Sequence, residues 1–157
     1  MSKGNAGASG ISLDEADRIA SGVIAWGRDN DSGRLTAAVL DAGGHLVVVK
    51  RDDGAEFLRA DIAIGKAWGA LGMGIPGRLL AEKAAAIPQF MTALSVMSGG
   101  RMVPVAGGVL IRRDGMVVGA VGVSGDTSSV DEHSAVAAVD SVGLQADTGQ
   151  NDEWNRP

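Results

Sequence analysis

The chain has 157 residues, with 14 Lys and Arg against 19 Asp and Glu and a net charge of -5; this is one domain's worth of chain and a poor partner for nucleic acid or acidic lipid, whose recognition rests on neutralising phosphates. The absence of cysteine excludes a disulfide framework, thiol catalysis and thiolate metal sites. Apolar residues make up 45% but aromatics only 3%, with no Tyr, so the core must be Ala, Val, Ile, Leu and Met. Such side chains each bury little area at about 25 cal/mol per Å², and homo-oligomerisation is expected to supply the missing burial.

Residues 1–11 read as a disordered N-terminal arm, with no apolar run behind Lys3, and no stretch approaches the roughly 20 apolar residues that span a bilayer. The expectation is a cytoplasmic protein without a membrane segment. Residues 12–147 read as one domain. Ser12-Leu13-Asp14-Glu15 is a capping box that opens a helix, with Leu13, Ala16, Ala20, Val23 and Ile24 on one face, ending in Asp29 to Gly33. Leu35 to Leu40 and Leu46 to Lys50 are strand-forming runs joined by the glycine-containing loop Asp41-Ala42-Gly43-Gly44, a first hairpin. Arg51 to Gly54 breaks the second strand. Phe57 to Met73 then carries apolar residues at helical spacing, and Pro76 starts a short third helix through Ala86. Pro88 ends that helix, and Gln89 to Ser98 adds one or two helical turns.

The run from Gly107 to Glu132 is the richest. Val109 to Ile111, the type I′ signal Asp114-Gly115 and Met116 to Val123 form a second hairpin. Gly119, Gly122 and Gly125 remove side chains where bulk would help packing, so either backbone or ligand comes close there. Ser129-Val130-Asp131-Glu132 reads as a second capping box, opening a helix to about Leu144. Residues 148–157 form a polar tail with a lone Trp154. Two hairpins without βαβ spacing, interleaved with helices, predict an α+β fold with an antiparallel sheet.

Several stretches together resemble the GlcG/HbpS family of haem-binding or haem-degrading domains, which includes the C-terminal domain of PduO-type proteins. They are V-L-D-A-G-G-H-L-V at Val39 to Val47, R-D-D-G-A at Arg51 to Ala55 and D-I-A-I-G-K-A at Asp61 to Ala67. G-G-V-L-I at Gly107 to Ile111 and D-G-M-V-V-G-A-V-G-V-S-G at Asp114 to Gly125 complete the set. Leu110 stands where the family usually has proline, and Trp68 where it commonly has tyrosine. The resemblance implies a profilin-like sandwich, a five-stranded antiparallel sheet with flanking helices, assembled into homo-oligomers that are often octamers. Haem is the cofactor it implies.

Among candidate site residues, His45 is either an axial imidazole for haem iron or an exposed polar residue of a turn. His45 and His133, far apart and without a third ligand at metal spacing, do not make a metal site. Lys66 sits among Ile62, Ala63, Ile64, Ala67 and Trp68, and either snorkels outward or enters a pocket to hold an anion or act as a base. Asp131 and Glu132 are accounted for by capping, with a functional alternative as acid, base or ligand partner. The turn Gly122-Val123-Ser124-Gly125 entering a helix offers backbone amides to a carboxylate or phosphate. Ser124 lacks the G-x-S-x-G context of a nucleophile.

The leading expectation is an oligomeric protein that binds haem, a corrinoid-related cofactor or a small catabolic metabolite in pockets built partly between subunits. Gly107, Gly108 and Gly122 to Gly125 would floor the pocket, and Arg51 and Lys66 would supply its positive charge. The alternative is a cofactor-independent isomerase, lyase or hydratase with Lys66 or Glu132 as acid or base.

Overall fold

A computed structural model describes residues 10–150. The elements run α1 (Leu13–Asp29), β1 (Thr36–Asp41), β2 (Leu46–Arg51), α2 (Leu58–Met73), α3 (Gly77–Ala86), α4 (Pro88–Met97), β3 (Gly108–Arg113), β4 (Met116–Ser124), α5 (Ser128–Ser141) and β5 (Gln145–Asp147). The sheet has five strands in the order β2-β1-β4-β3-β5, and every neighbouring pair is antiparallel. The α+β expectation is met. Most of the expected arm and tail, including Trp154, lies outside the described residues. Ile11, placed by sequence in the arm, is in the core, and its amide donates to the Val118 carbonyl at 3.0 Å.

Strand alternation divides the core into two layers. Ala37 and Val39 of β1, Val109 and Ile111 of β3, and Val121 and Val123 of β4 join Ala16, Ile19, Ala20 and Val23 of α1 and Ala135, Ala138 and Val139 of α5. The opposite residues of the same strands, Ala38, Leu40, Leu110 and Ala120, meet Ala63, Ala67 and Ala70 of α2. Leu80, Met91 and Met102 form a smaller cluster beneath α3 and α4.

The α1 capping box forms as its sequence dictates: Ser12 Oγ accepts from the Glu15 amide at 3.1 Å and Glu15 Oε2 from the Ser12 amide at 2.9 Å. Asp114 and Gly115 both have positive φ, 50° and 78°, as a type I′ turn requires. Three readings are corrected. α4 is a ten-residue helix that begins at Pro88, since proline lacks only an amide that the first turn leaves unbonded anyway. The cap of α5 is Thr127, whose side chain accepts from the Val130 amide at 3.3 Å, and not Ser129. α5 ends at Ser141 and not near Leu144, and residues 145–147 pair with β3 as the fifth strand that the resemblance implies and no local pattern announces.

α2 lies directly on the sheet, and the strand glycines are the reason. A Cβ on Gly122 would sit 1.9 Å from the Ala63 carbonyl oxygen, and one on Gly108 would sit 2.4 Å from that of Lys66. Both are backbone atoms that cannot swing away. Gly122→Ala is therefore expected to push α2 off the sheet at a cost of about 2 kcal/mol or more. Gly72→Ala, which meets nothing within 4 Å on the same helix, should instead stabilise by about 0.5–1 kcal/mol through better helix propensity. Urea denaturation of the two variants checks the pair of opposite signs.

Candidate functional site

Lys66 faces the sheet from the middle of α2 and is 3% exposed. Its Nζ donates to Asp131 Oδ2 at 2.9 Å and to the Val123 carbonyl at 2.8 Å, while Asp131 Oδ1 accepts from the Asp126 amide at 3.0 Å. One ion pair thus ties α2, β4 and the start of α5. Gly107 beside it has φ 107°, and a Cβ there would come within 2.9 Å of Nζ. Of the two sequence expectations, outward snorkelling does not describe this arrangement: the ammonium is buried and paired. Burial pushes the Asp131 carboxyl above its ordinary value, and the Lys66 charge pulls it part of the way back. That carboxyl's contribution to stability is therefore fully present below the ordinary carboxylate range of about 4 and is lost as pH rises through the raised value.

Because the helix is capped at Thr127, Asp131 and Glu132 fall beyond the capping positions, and both are buried. Glu132 Oε1 accepts from Arg78 Nε at 3.2 Å and also from Nη2. Its other oxygen, Oε2, is buried without a hydrogen-bond partner. Glu132 also lines a cavity of about 270 Å³ with His133, Asp140 and Thr148, and burial pushes the Asp140 carboxyl up as well.

The other expected ligand contacts are scattered. The spaces beside Gly108 and Gly122 are filled by α2 backbone, and a Cβ on Gly125 would lie 2.2 Å from the Arg34 carbonyl oxygen. These glycines floor a helix and a turn, not a pocket, so the close approach that the sequence signalled is by backbone. Ser124 Oγ accepts from Arg59 Nη1 at 3.3 Å. Arg51 is exposed at the end of edge strand β2, opposite Thr36, which in turn pairs with Ser124. His45 sits at the other end of the sheet. Its ring Nδ1 is 3.2 Å from Asp41 Oδ1, and its carbonyl accepts from the Asp41 amide. Asp41 Oδ1 also accepts from the Gly43 and His45 amides, so the imidazole is part of the hairpin turn and is exposed there.

A further concave surface was not singled out in the sequence. It is a groove of about 480 Å³ on the outer side of α2, walled by Leu40, Leu46, Ile62, Ile64 and Val103, with Asp61, Trp68 and Arg101 as its distinctive members. Gly65 permits it: a Cβ there would lie 2.6 Å from Val103 Cγ2 and 2.7 Å from the Arg101 carbonyl oxygen, so only glycine lets the 101–103 loop lie on α2. The Val103 amide then donates to the Gly65 carbonyl at 3.2 Å. Gly99 and Gly100, with φ 72° and 74°, turn the chain into that loop. Arg101 is delivered over Trp68, its guanidinium carbon 4.1 Å from the ring centroid, with Nε donating to the Ser98 carbonyl at 3.1 Å. Gly44 of the first hairpin borders the indole as well, since a Cβ there would lie 3.5 Å from Trp68 Cδ1 and Nε1. A flat indole, aliphatic walls and a cation held at the mouth suit a flat apolar molecule with an acidic edge. The sequence signals were Trp68 in the place of the family's tyrosine and the G-G-R step at 99–101.

Removing one partner of the buried pair should be costly. Lys66→Met and Asp131→Asn are each expected to lose about 3–5 kcal/mol, because each strands an uncompensated buried group. The double substitution Lys66→Met/Asp131→Leu should recover most of that loss; single variants within about 1 kcal/mol of wild type in urea denaturation would show that the pair does not tie the layers.

The family model described as haem-degrading protein HbpS-like matches residues 11–140. Solved structures similar to this fold include the haem complex of PduOC, with 22% identity, a TM-score of 0.78 and coverage of 88% of this chain and 99% of that one. HbpS matches with 25% identity, a TM-score of 0.75 and coverage of 86% and 92%. The ORFY protein of Klebsiella pneumoniae matches with 28% identity, a TM-score of 0.73 and coverage of 83% and 88%. Comparison with curated protein sequences gives no match.

Proposed function

Since the chain belongs to the HbpS-like family of haem-degrading proteins, we propose that it binds haem or a closely related flat, acid-bearing molecule in the groove outside α2. The observation that carries this reading is Arg101 stacked on Trp68 at the wall of an apolar groove of about 480 Å³. The residues present fit such a guest. Leu40, Leu46, Ile62 and Ile64 would cover an apolar face, Trp68 would hold Arg101 in place at the wall, and Arg101 would pair with a propionate or similar carboxylate. Haem bound there would supply an iron centre. The chain's own part is to bind, orient and shield the macrocycle. A corrinoid-related ligand falls in the same chemical class. The haem complex of a protein sharing this fold supports the choice of haem as the first ligand to try.

A cytoplasmic homo-oligomer, an octamer by family resemblance, is part of the same reading. Phe57, Val96 and Met97 are each at least 75% exposed, an apolar surface that burial against further copies would cover. No helix among the described residues is long and apolar enough to cross a membrane.

Hemin titrated into the folded protein is expected to shift its Soret band and saturate, and Trp68→Leu or Arg101→Ala should each weaken binding about tenfold, or 1.4 kcal/mol. An unshifted Soret band, or full affinity in both variants, would sink the groove as the site.

A second reading is favoured by one observation, the unpartnered Oε2 of Glu132 in a side chain that borders a polar cavity. A carboxylate held by Arg78 through one oxygen keeps the other for a proton, as an acid or base of an isomerase, lyase or hydratase must. Lys66, committed to Asp131, is the poorer candidate for that role. If this reading holds, Glu132→Gln abolishes proton exchange of a substrate carbon in deuterated buffer while the fold and hemin binding survive; undiminished exchange would refute it.

A further inference from the structure

We infer that the groove selects its ligand by the flat face and acidic edge, and not by the metal at the centre. The inference rests on the groove being the binding site, as proposed above, and on the inventory of donors that could reach it.

Iron in a porphyrin is held by imidazole, thiolate, thioether or phenolate donors. The whole sequence contains two histidines, no cysteine and no tyrosine, and both histidines lie among the described residues. His133 is on α5 itself, its Nδ1 2.8 Å from the Ser129 carbonyl oxygen. His133 lies on the side of the sheet opposite α2, and His45, exposed at the hairpin tip between the groove-lining Gly44 and Leu46, turns Nδ1 to Asp41 and does not itself line the groove. Met102, the nearest thioether in sequence to Arg101, is buried in the cluster with Leu80 and Met91. Lys66 is consumed by Asp131. Among the residues that line the groove, the remaining donor is the Asp61 carboxylate, a hard oxygen ligand better suited to Mg, Ca or Mn than to porphyrin iron.

What the groove does supply is peripheral. Arg101 is fixed by stacking on Trp68 and by its bond to Ser98, so it meets a carboxylate without first being ordered. The walls are aliphatic and indifferent to what sits at the centre of a macrocycle. Recognition by one fixed guanidinium and a dry flat surface discriminates between an acid and its ester, and barely between a metal complex and its free base.

The experiment is a matched titration of the full chain with hemin, zinc protoporphyrin, metal-free protoporphyrin IX and the dimethyl ester of the last, followed by absorbance and by quenching of tryptophan fluorescence. The three acids are expected to bind within about threefold of one another, and the ester about tenfold more weakly. Arg101→Ala should weaken the acids by about tenfold and leave the ester unchanged, while His45→Ala and His133→Ala change nothing and leave the hemin spectrum as it was. Hemin binding more than about thirtyfold tighter than the free base, or a low-spin Soret spectrum lost in either histidine variant, overturns the inference and leaves the groove reading standing. Hemin binding that alone falls in Asp61→Asn also overturns it. If no porphyrin binds at all, both readings fall together.

Discussion

The close seating of α2 on the sheet is the constraint from which the rest follows. A helix normally stands off a sheet by the depth of its side chains. Here that spacer is removed from both partners, by Gly108 and Gly122 on the strands and by Ala63 and Ala67 on the helix, so that carbonyl groups of the helix fill the volume of missing Cβ atoms. The close fit brings the Lys66 ammonium within reach of a strand carbonyl and of a carboxylate on α5. Desolvating both charges makes such a pair a weak source of net stability. Its value lies in register: a helix that slid by one residue would lose the ion pair and collide with the strands together.

The same seating governs where a ligand can go. With the inner side of α2 packed to backbone contact, the space beside this helix lies on its outer side, where the second small-residue position, Gly65, draws the 101–103 loop in against the helix. Small residues on α2 thus serve opposite ends. Those facing inward close space, and the one facing outward shapes it by admitting a loop that carries Arg101.

Much of the fold was legible because its signals are local. The Ser12 capping box, the Asp114-Gly115 turn and the helical spacing after Phe57 each involve residues a few positions apart, and each forms as read. The five-stranded profilin-like sheet came from the family resemblance, since β5 is three residues defined only by pairing with β3. The cap of α5 was misread by two positions because S-x-x-E occurs at Ser129, while the extended backbone that a cap requires lies at Thr127, with φ -61° and ψ 152°. At the site, the glycines correctly announced close approach without saying of what. The pairing of Trp68 with Arg101 was illegible, since it depends on a loop more than thirty residues away in the chain settling on a glycine of the helix.

The sheet ends in two unequal edges. β5 is too short to present a row of free amides, and its carboxylate Asp147 is held by Arg112 at 2.9 Å. β2 is longer, but its register against β1 slips between Val39 and Leu40, and near its end Lys50 is drawn to Asp17 of α1 at 2.9 Å. A bulge and charged residues spoil a strand as a template for another strand. Both edges are thus poor templates for strand addition by a second copy, the one route by which an open sheet edge can extend from chain to chain.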